Sequence, residues 1–139
     1  MKKNITLFIV LFALSLCAHS QQVSLFDQKG EAVAYIDYNK DATVFLFDGT
    51  PAAFLEKNGI VGFNREFLGW YEDGIVYDRN GKVVGCKKEA LSMYYKIERM
   101  KSIQRLAPIR PMTPIAPMMP IRSSIWNSML LSDWLLKGK

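Results

Sequence analysis

The chain has 139 residues, half of them apolar, with 18 Lys or Arg against 13 Asp or Glu (formal charge +5), two cysteines and one histidine. That histidine, His19, stands in an apolar leader, so the rest of the chain holds no Ser-His-Asp or Cys-His nucleophile and no His-ligated zinc or haem. The length allows one small domain.

The leader comes first. Lys2 and Lys3 precede the apolar run Ile5 to Leu16, and Ala18-His19-Ser20 supplies the small residues a signal peptidase reads. Residues 1–20 are therefore expected to be a secretory signal, too short in its apolar core to span a bilayer, and the destination to be periplasmic or secreted. Leu14-Ser15-Leu16-Cys17 is placed like a lipoprotein box, but Leu16 occupies a position that wants a small residue, so plain cleavage after Ser20 is expected rather than a lipid on Cys17. Cleavage leaves Cys86 as the single cysteine, and stability must come from packing rather than an internal disulfide. Charge then divides sharply: residues 21–86 carry six basic and ten acidic residues (−4), residues 87–139 ten basic and three acidic (+7). Head and tail are expected to attract each other, or the tail to seek an anionic surface.

Residues 21–90 are built from a motif that returns four times: Leu25-Phe26-Asp27-Gln28-Lys29-Gly30, Leu46-Phe47-Asp48-Gly49, Gly62-Phe63-Asn64-Arg65 and Val76-Tyr77-Asp78-Arg79-Asn80-Gly81. Each copy reads as a β-hairpin. Asp27, Asp48, Asn64 and Asp78 fall where a short side-chain oxygen bonds turn N–H groups, and Gly30, Gly49 and Gly81 supply positive φ. The third copy has no such glycine, which predicts a different turn there. On the return strands Ala34, Ala53, Gly69 and Gly85 share one face, and Tyr35, Phe54, Trp70 and Cys86 share the other. Small residues at one repeated position predict close backbone approach near a central axis. The expected fold is all-β: four short hairpins arranged with pseudo-four-fold symmetry, followed by an α-helical segment and a Pro-rich polyproline II tail.

These four copies, over residues 23 to about 90, resemble the 4-fold beta flower domain, a family of small and mostly exported bacterial proteins without an established activity. The Pro-rich tail ending in a Ser/Trp segment is similar to what often follows that domain. The resemblance implies an architecture and a location, and no catalytic residues or cofactor.

Beyond the repeats, Ala90, Met93, Tyr94, Ile97, Met100 and Ile103 are spaced by three or four, which predicts an amphipathic helix over 91–107 with a basic far side, stopped by Pro108. Over 108–122, Pro108, Pro111, Pro114, Pro117 and Pro120 recur every third residue, with Ile109, Met112, Ile115, Met118 and Ile121 as a second column. That apolar column is expected to lie on its own domain, on a second subunit or on a partner; the other reading is a stiff solvated spacer. Residues 123–139 carry Trp126, Leu130 and Trp134 at helical spacing, expected to dock.

Chemistry is sparse in this inventory. The four turn oxygens suggest a calcium ring but are each explained by turn capping. Glu66, Glu72 and Asp73 offer carboxylates for hydrolysis, but Glu72-Asp73-Gly74 reads as a solvated turn. No phosphate-binding glycine loop is present, and the acidic repeats argue against nucleic acid. The expected role is a non-enzymatic interaction or structural module of the bacterial envelope, needing no cofactor or metal. An envelope protein would be held by Ile109, Met112, Ile115, Trp126 and Trp134 with Arg110 and Arg122 at the rim. The alternative is a glycan-binding module using Tyr35, Trp70, Tyr71 and Tyr77, and a third is a carboxylate hydrolase.

Overall fold

The computed structural model describes residues 4–6, 9 and 21–139. Apart from those first few residues the expected leader, with Cys17, His19 and the cleavage bond, lies outside the described residues. Among the described residues no helix is long and apolar enough to cross a membrane.

Eight strands follow one another: β1 (Gln22–Phe26), β2 (Ala32–Asp37), β3 (Thr43–Leu46), β4 (Pro51–Glu56), β5 (Gly59–Gly62), β6 (Phe67–Glu72), β7 (Ile75–Asp78) and β8 (Val83–Lys87). Each pairs antiparallel with the next, and β8 returns to β1 through Leu25 opposite Lys87 and Phe26 opposite Cys86, closing a barrel. Closure removes the exposed strand edges that four separate hairpins would leave.

The repeated motif explains the interior. In each hairpin the register slips once, between Leu25 and Phe26, Val44 and Phe45, Ile60 and Val61, and Val76 and Tyr77. The unpaired residues on the return strands are Val33, Ala52, Leu68 and Val84. A bulge turns two consecutive side chains to one side. Val33 and Ala34, Ala52 and Ala53, Leu68 and Gly69, and Val84 and Gly85 therefore share the inner space, and the second of each pair must be small. The inner cluster is completed by Leu25, Ile36, Val44, Leu46, Leu55, Ile60 and Val76.

One end of this interior is filled by α1 (Leu131–Leu136), whose Leu131, Trp134 and Leu135 are buried in the same cluster. A Cβ on Gly69 would collide first with the Tyr77 carbonyl and then meet Trp134 at 3.0 Å, and one on Gly85 would meet Leu131 at 2.8 Å and the Phe26 carbonyl at 2.9 Å, so the two glycines admit a neighbouring strand's backbone as well as the plug. The rings Phe26, Tyr35, Phe45, Phe54, Phe67 and Trp70 lie on the barrel's outer side, in two further buried clusters.

The tail covers them. The amphipathic helix expected over 91–107 does not form, and residues 94–123 carry neither helix nor ladder strand. The segment's backbone is engaged elsewhere: Lys96 N–H donates to the Gly30 carbonyl (2.8 Å), Ser102 to Phe47 (2.8 Å), Arg105 to Gly49 (2.9 Å) and Ser123 to Gly81 (2.9 Å). The tail is thus a strap laid along the hairpin turns. A Cβ on Gly30, Gly49 or Gly81 would collide with the carbonyls of Tyr94, Ile103 and Ile121 respectively, so these glycines serve strap contact as well as positive φ.

Candidate functional site

All four turn oxygens act as caps. Asp27 Oδ1 accepts from Lys29 and Glu31 N–H, Asp78 Oδ1 from Asn80 and Lys82, Asp48 Oδ1 from Thr50 and Asn64 Oδ1 from Glu66, at 2.8–3.0 Å. Among the described residues no group of His, Cys, Asp or Glu is placed to hold a metal. The third turn does not differ as its sequence predicts. Arg65 adopts φ 72°, Arg65 N–H donates to the Gly62 carbonyl and Gly62 N–H to Glu66, the same bonds that Gly49 and Leu46 make in the second turn. An arginine in left-handed conformation replaces the glycine, and here the C-terminus rather than the strap is the neighbour: Asn64 N–H donates to the Gly138 carbonyl (3.1 Å) and its Nδ2 to the Lys137 carbonyl (2.8 Å).

The glycan candidates are not surface rings. Tyr35, Trp70 and Tyr77 are buried, with Lys101 Nζ 4.6 Å from the Tyr35 ring centre and the Arg122 guanidinium 5.9 Å from that of Tyr77. Tyr71 is partly buried against the inner cluster, and burial pushes its phenol up to about 12. Of the hydrolase candidates, Glu72 and Asp73 are engaged and Glu66 is exposed. Arg122 Nη1 lies 2.9 Å from Asp73 Oδ2 and 3.4 Å from Glu72 Oε2, and Asn58 Nδ2 donates to Glu72 Oε1 at 2.6 Å. Cys86 is fully buried, and that burial raises its thiol pKa; its Sγ sits 3.5 Å from the Tyr95 hydroxyl. Tyr95 from the strap meets Phe26 edge-on at 4.9 Å, supplying the ring that the fourth repeat lacks.

The seven expected partner contacts separate into two groups. Trp134 is buried in the barrel end and Trp126 is half-buried beside Val83, with which it makes a parallel bridge. Arg110 hydrogen-bonds the Asp41 carbonyl and Thr43 Oγ1, with its guanidinium 4.7 Å from the Phe54 ring centre, and Arg122 holds the Glu72–Asp73 turn. These four residues serve the protein's own barrel, because its acidic turns and outer rings are nearer than any partner. Lys96 does the same, pairing with Glu31 at 3.0 Å and lowering that carboxyl's pKa.

Ile109, Met112 and Ile115 face solvent instead. They belong to a longer column: every third residue from Tyr94 to Ile121 is a large apolar side chain, ten in all, each 79–97% exposed. The column does not lie on its own domain. Tyr94, Ile97, Met100, Ile103 and Leu106 belong to it although their segment reads as a helix, and the signal was the strict step of three, which an α-helix of 3.6 residues per turn cannot keep on one face. Between strap and barrel a cleft of about 550 Å³ is lined by Lys40, Thr43, Phe45, Gln104, Arg105 and Arg110, polar groups without a nucleophile and base in contact.

A closed antiparallel eight-stranded barrel, plugged by its C-terminal helix and girdled by its own tail, defines the class of protein. A family model described as 4-fold beta flower protein matches residues 23–135, and the chain belongs to that family. The match runs through the strap and into α1, well past residue 90, in keeping with the place of Leu131, Trp134 and Leu135 in the barrel core. No curated protein and no solved structure matches the chain significantly.

Proposed function

We propose that the protein is an exported, non-enzymatic interaction or structural module of the bacterial cell envelope, and that its working surface is the outward apolar column of the strap. In this reading the four hairpins form a pseudo-four-fold barrel on which the strap, in polyproline II conformation, is displayed. Equivalent bulges and turn caps in the four repeats support the first part, and the three-residue period of exposure the second.

The single observation that carries the proposal is the exposure of ten large apolar side chains in one periodic line. Soluble monomers scatter such residues singly, and a contiguous set marks a contact surface. The glycan alternative finds no comparable support, since three of its four rings are buried under the strap.

The test is photo-cross-linking in the producing cells, with the reactive residue placed at Met112 or at the exposed control Lys57. Adducts from Met112 well above those from Lys57 are expected. Equal labelling at both positions would sink the proposal.

A further inference from the structure

We infer that the arc of the strap from Ile109 to Ile121 pairs with the same arc of a second copy of this chain, across a two-fold axis at Ile115. The inference rests on the reading of the apolar column as a contact surface, and it names the partner.

The order of side chains points to a second copy. Outward residues of the arc are Ile109, Met112, Ile115, Met118 and Ile121, which read the same in both directions about Ile115. Two-fold symmetry makes residue i meet j where j meets i. With the axis at Ile115, Met112 of one copy faces Met118 of the other and Ile109 faces Ile121, so each step pairs like with like. The period matches as well, because a second copy has the same three-residue step, about 9 Å in polyproline II. The methionines adapt to small misfits at such a contact.

Charge favours the same occupant. Arg110 and Arg122 bound the arc, and both turn onto their own barrel. Residues 111–121 contain no ionisable side chain, so two copies of a net-positive chain approach there without opposed charges. An anionic lipid surface would need unpaired cations beside the apolar column. Arg110 and Arg122, the two cations beside this arc, instead contact Thr43 and Asp73. In area, five Ile and Met side chains at about 60–120 Å² each give roughly 300–600 Å² per copy, short of the ~800 Å² per partner of a standard complex and in the range of a weak, reversible pairing.

The test is sedimentation velocity of the purified full chain as the cells produce it, over a concentration series, with Ile115→Asp and, as control, Ile97→Asp. A reversible dimer is expected for the wild type and for Ile97→Asp, weakened at least about tenfold by Ile115→Asp, where two carboxylates would meet on the axis. Ile115 is 97% exposed, so the melting temperature of that variant should match the wild type's at concentrations where both are monomeric. Cysteine pairing gives the register: Ile115→Cys should cross-link to itself, and Met112→Cys should cross-link with Met118→Cys in a mixture but not with itself. A monomer at every concentration, or a dimer indifferent to Ile115→Asp, would overturn the inference. So would a monomer that floats with vesicles containing phosphatidylglycerol. A purified monomer whose Met112 still gives strong cross-links in cells would refute self-pairing and leave the proposed function standing.

Discussion

Removing α1, by ending the chain at Ser128, tests whether the tail completes the barrel core. The deletion takes out Leu131 and Leu135, both 0% exposed, and Trp134, 3% exposed. Burying each leucine stabilises by about 1.5–3 kcal/mol, and losing a buried tryptophan costs about 3–5 kcal/mol. The sum, roughly 6–11 kcal/mol, is comparable to the whole stability of a small domain, about 5–15 kcal/mol. The bonds that Lys137 and Gly138 carbonyls accept from Asn64 go as well.

The shortened chain is therefore expected to lack a cooperative melting transition by circular dichroism and to bind a hydrophobic dye. Trp134→Ala is the graded form of the same test. At about 4 °C per kcal/mol for a chain of this size, it should lower the melting temperature by about 12–20 °C. Leu131→Ala and Trp134→Ala together should fall short of the sum of their separate effects, because both line one space. A chain ending at Ser128 that melts cooperatively within a few degrees of the full-length protein would refute the reasoning, and with it the assignment of α1 to the core.

The second and third turns should respond oppositely to exchange. Arg65→Gly relieves a left-handed arginine and should raise stability by up to about 1 kcal/mol, read as a higher urea midpoint at unchanged slope, whereas Gly49→Arg must fit a side chain at φ 91° against the Ile103 carbonyl and should cost more than about 2 kcal/mol. Alkaline pH should destabilise the fold: Cys86 and Tyr71 are raised by burial from 9.0 and 10.0, Tyr71 to about 12. The unfolded chain thus releases those protons first, and stability present below pH 9 is lost as pH rises. Tyr71→Phe should flatten the fall between pH 10 and 12, measured as melting temperature against pH. Cys86 should resist alkylation in native buffer and react fully in denaturant, because it is buried as the less nucleophilic thiol; rapid native labelling would contradict its place beneath Tyr95.

The hairpins were legible in the sequence because each rests on local chemistry: Asp or Asn caps its own turn, and the return strand alternates within a few residues. The small column of Ala34, Ala53, Gly69 and Gly85 was legible too, but its cause was not. A bulge is a relation between two strands, and nothing within β6 announces that Leu68 is the unpaired residue. Barrel closure was hidden for the same reason, since Phe26 meets Cys86 only in three dimensions. The strap was misread where charged residues replaced proline. From Tyr94 to Leu106 the step of three was present, but Lys96, Arg99 and Lys101 gave it the look of a helix with a basic face. Tyr35, Trp70 and Tyr77 looked available to a ligand because composition cannot say which rings a later segment covers.

The prolines fall where the strap's backbone makes no hydrogen bond to the barrel backbone. Up to Arg105 the strap donates N–H groups to turn carbonyls, and it does so again at Ser123; among the described residues no strap N–H from Leu106 to Arg122 bonds the barrel backbone. The third turn, which lies between, is occupied by the Lys137 and Gly138 carbonyls. An ordinary chain crossing that gap would leave its N–H groups to water and give up backbone entropy without return. Pro108, Pro111, Pro114, Pro117 and Pro120 remove five of those donors and restrict the unfolded chain, worth about 0.4–1 kcal/mol each at compatible positions. Their three-residue spacing also keeps Ile109, Met112, Ile115, Met118 and Ile121 aligned outward. The same proline spacing thus stiffens the strap where its backbone makes no bond to the barrel backbone and fixes the apolar arc that it presents.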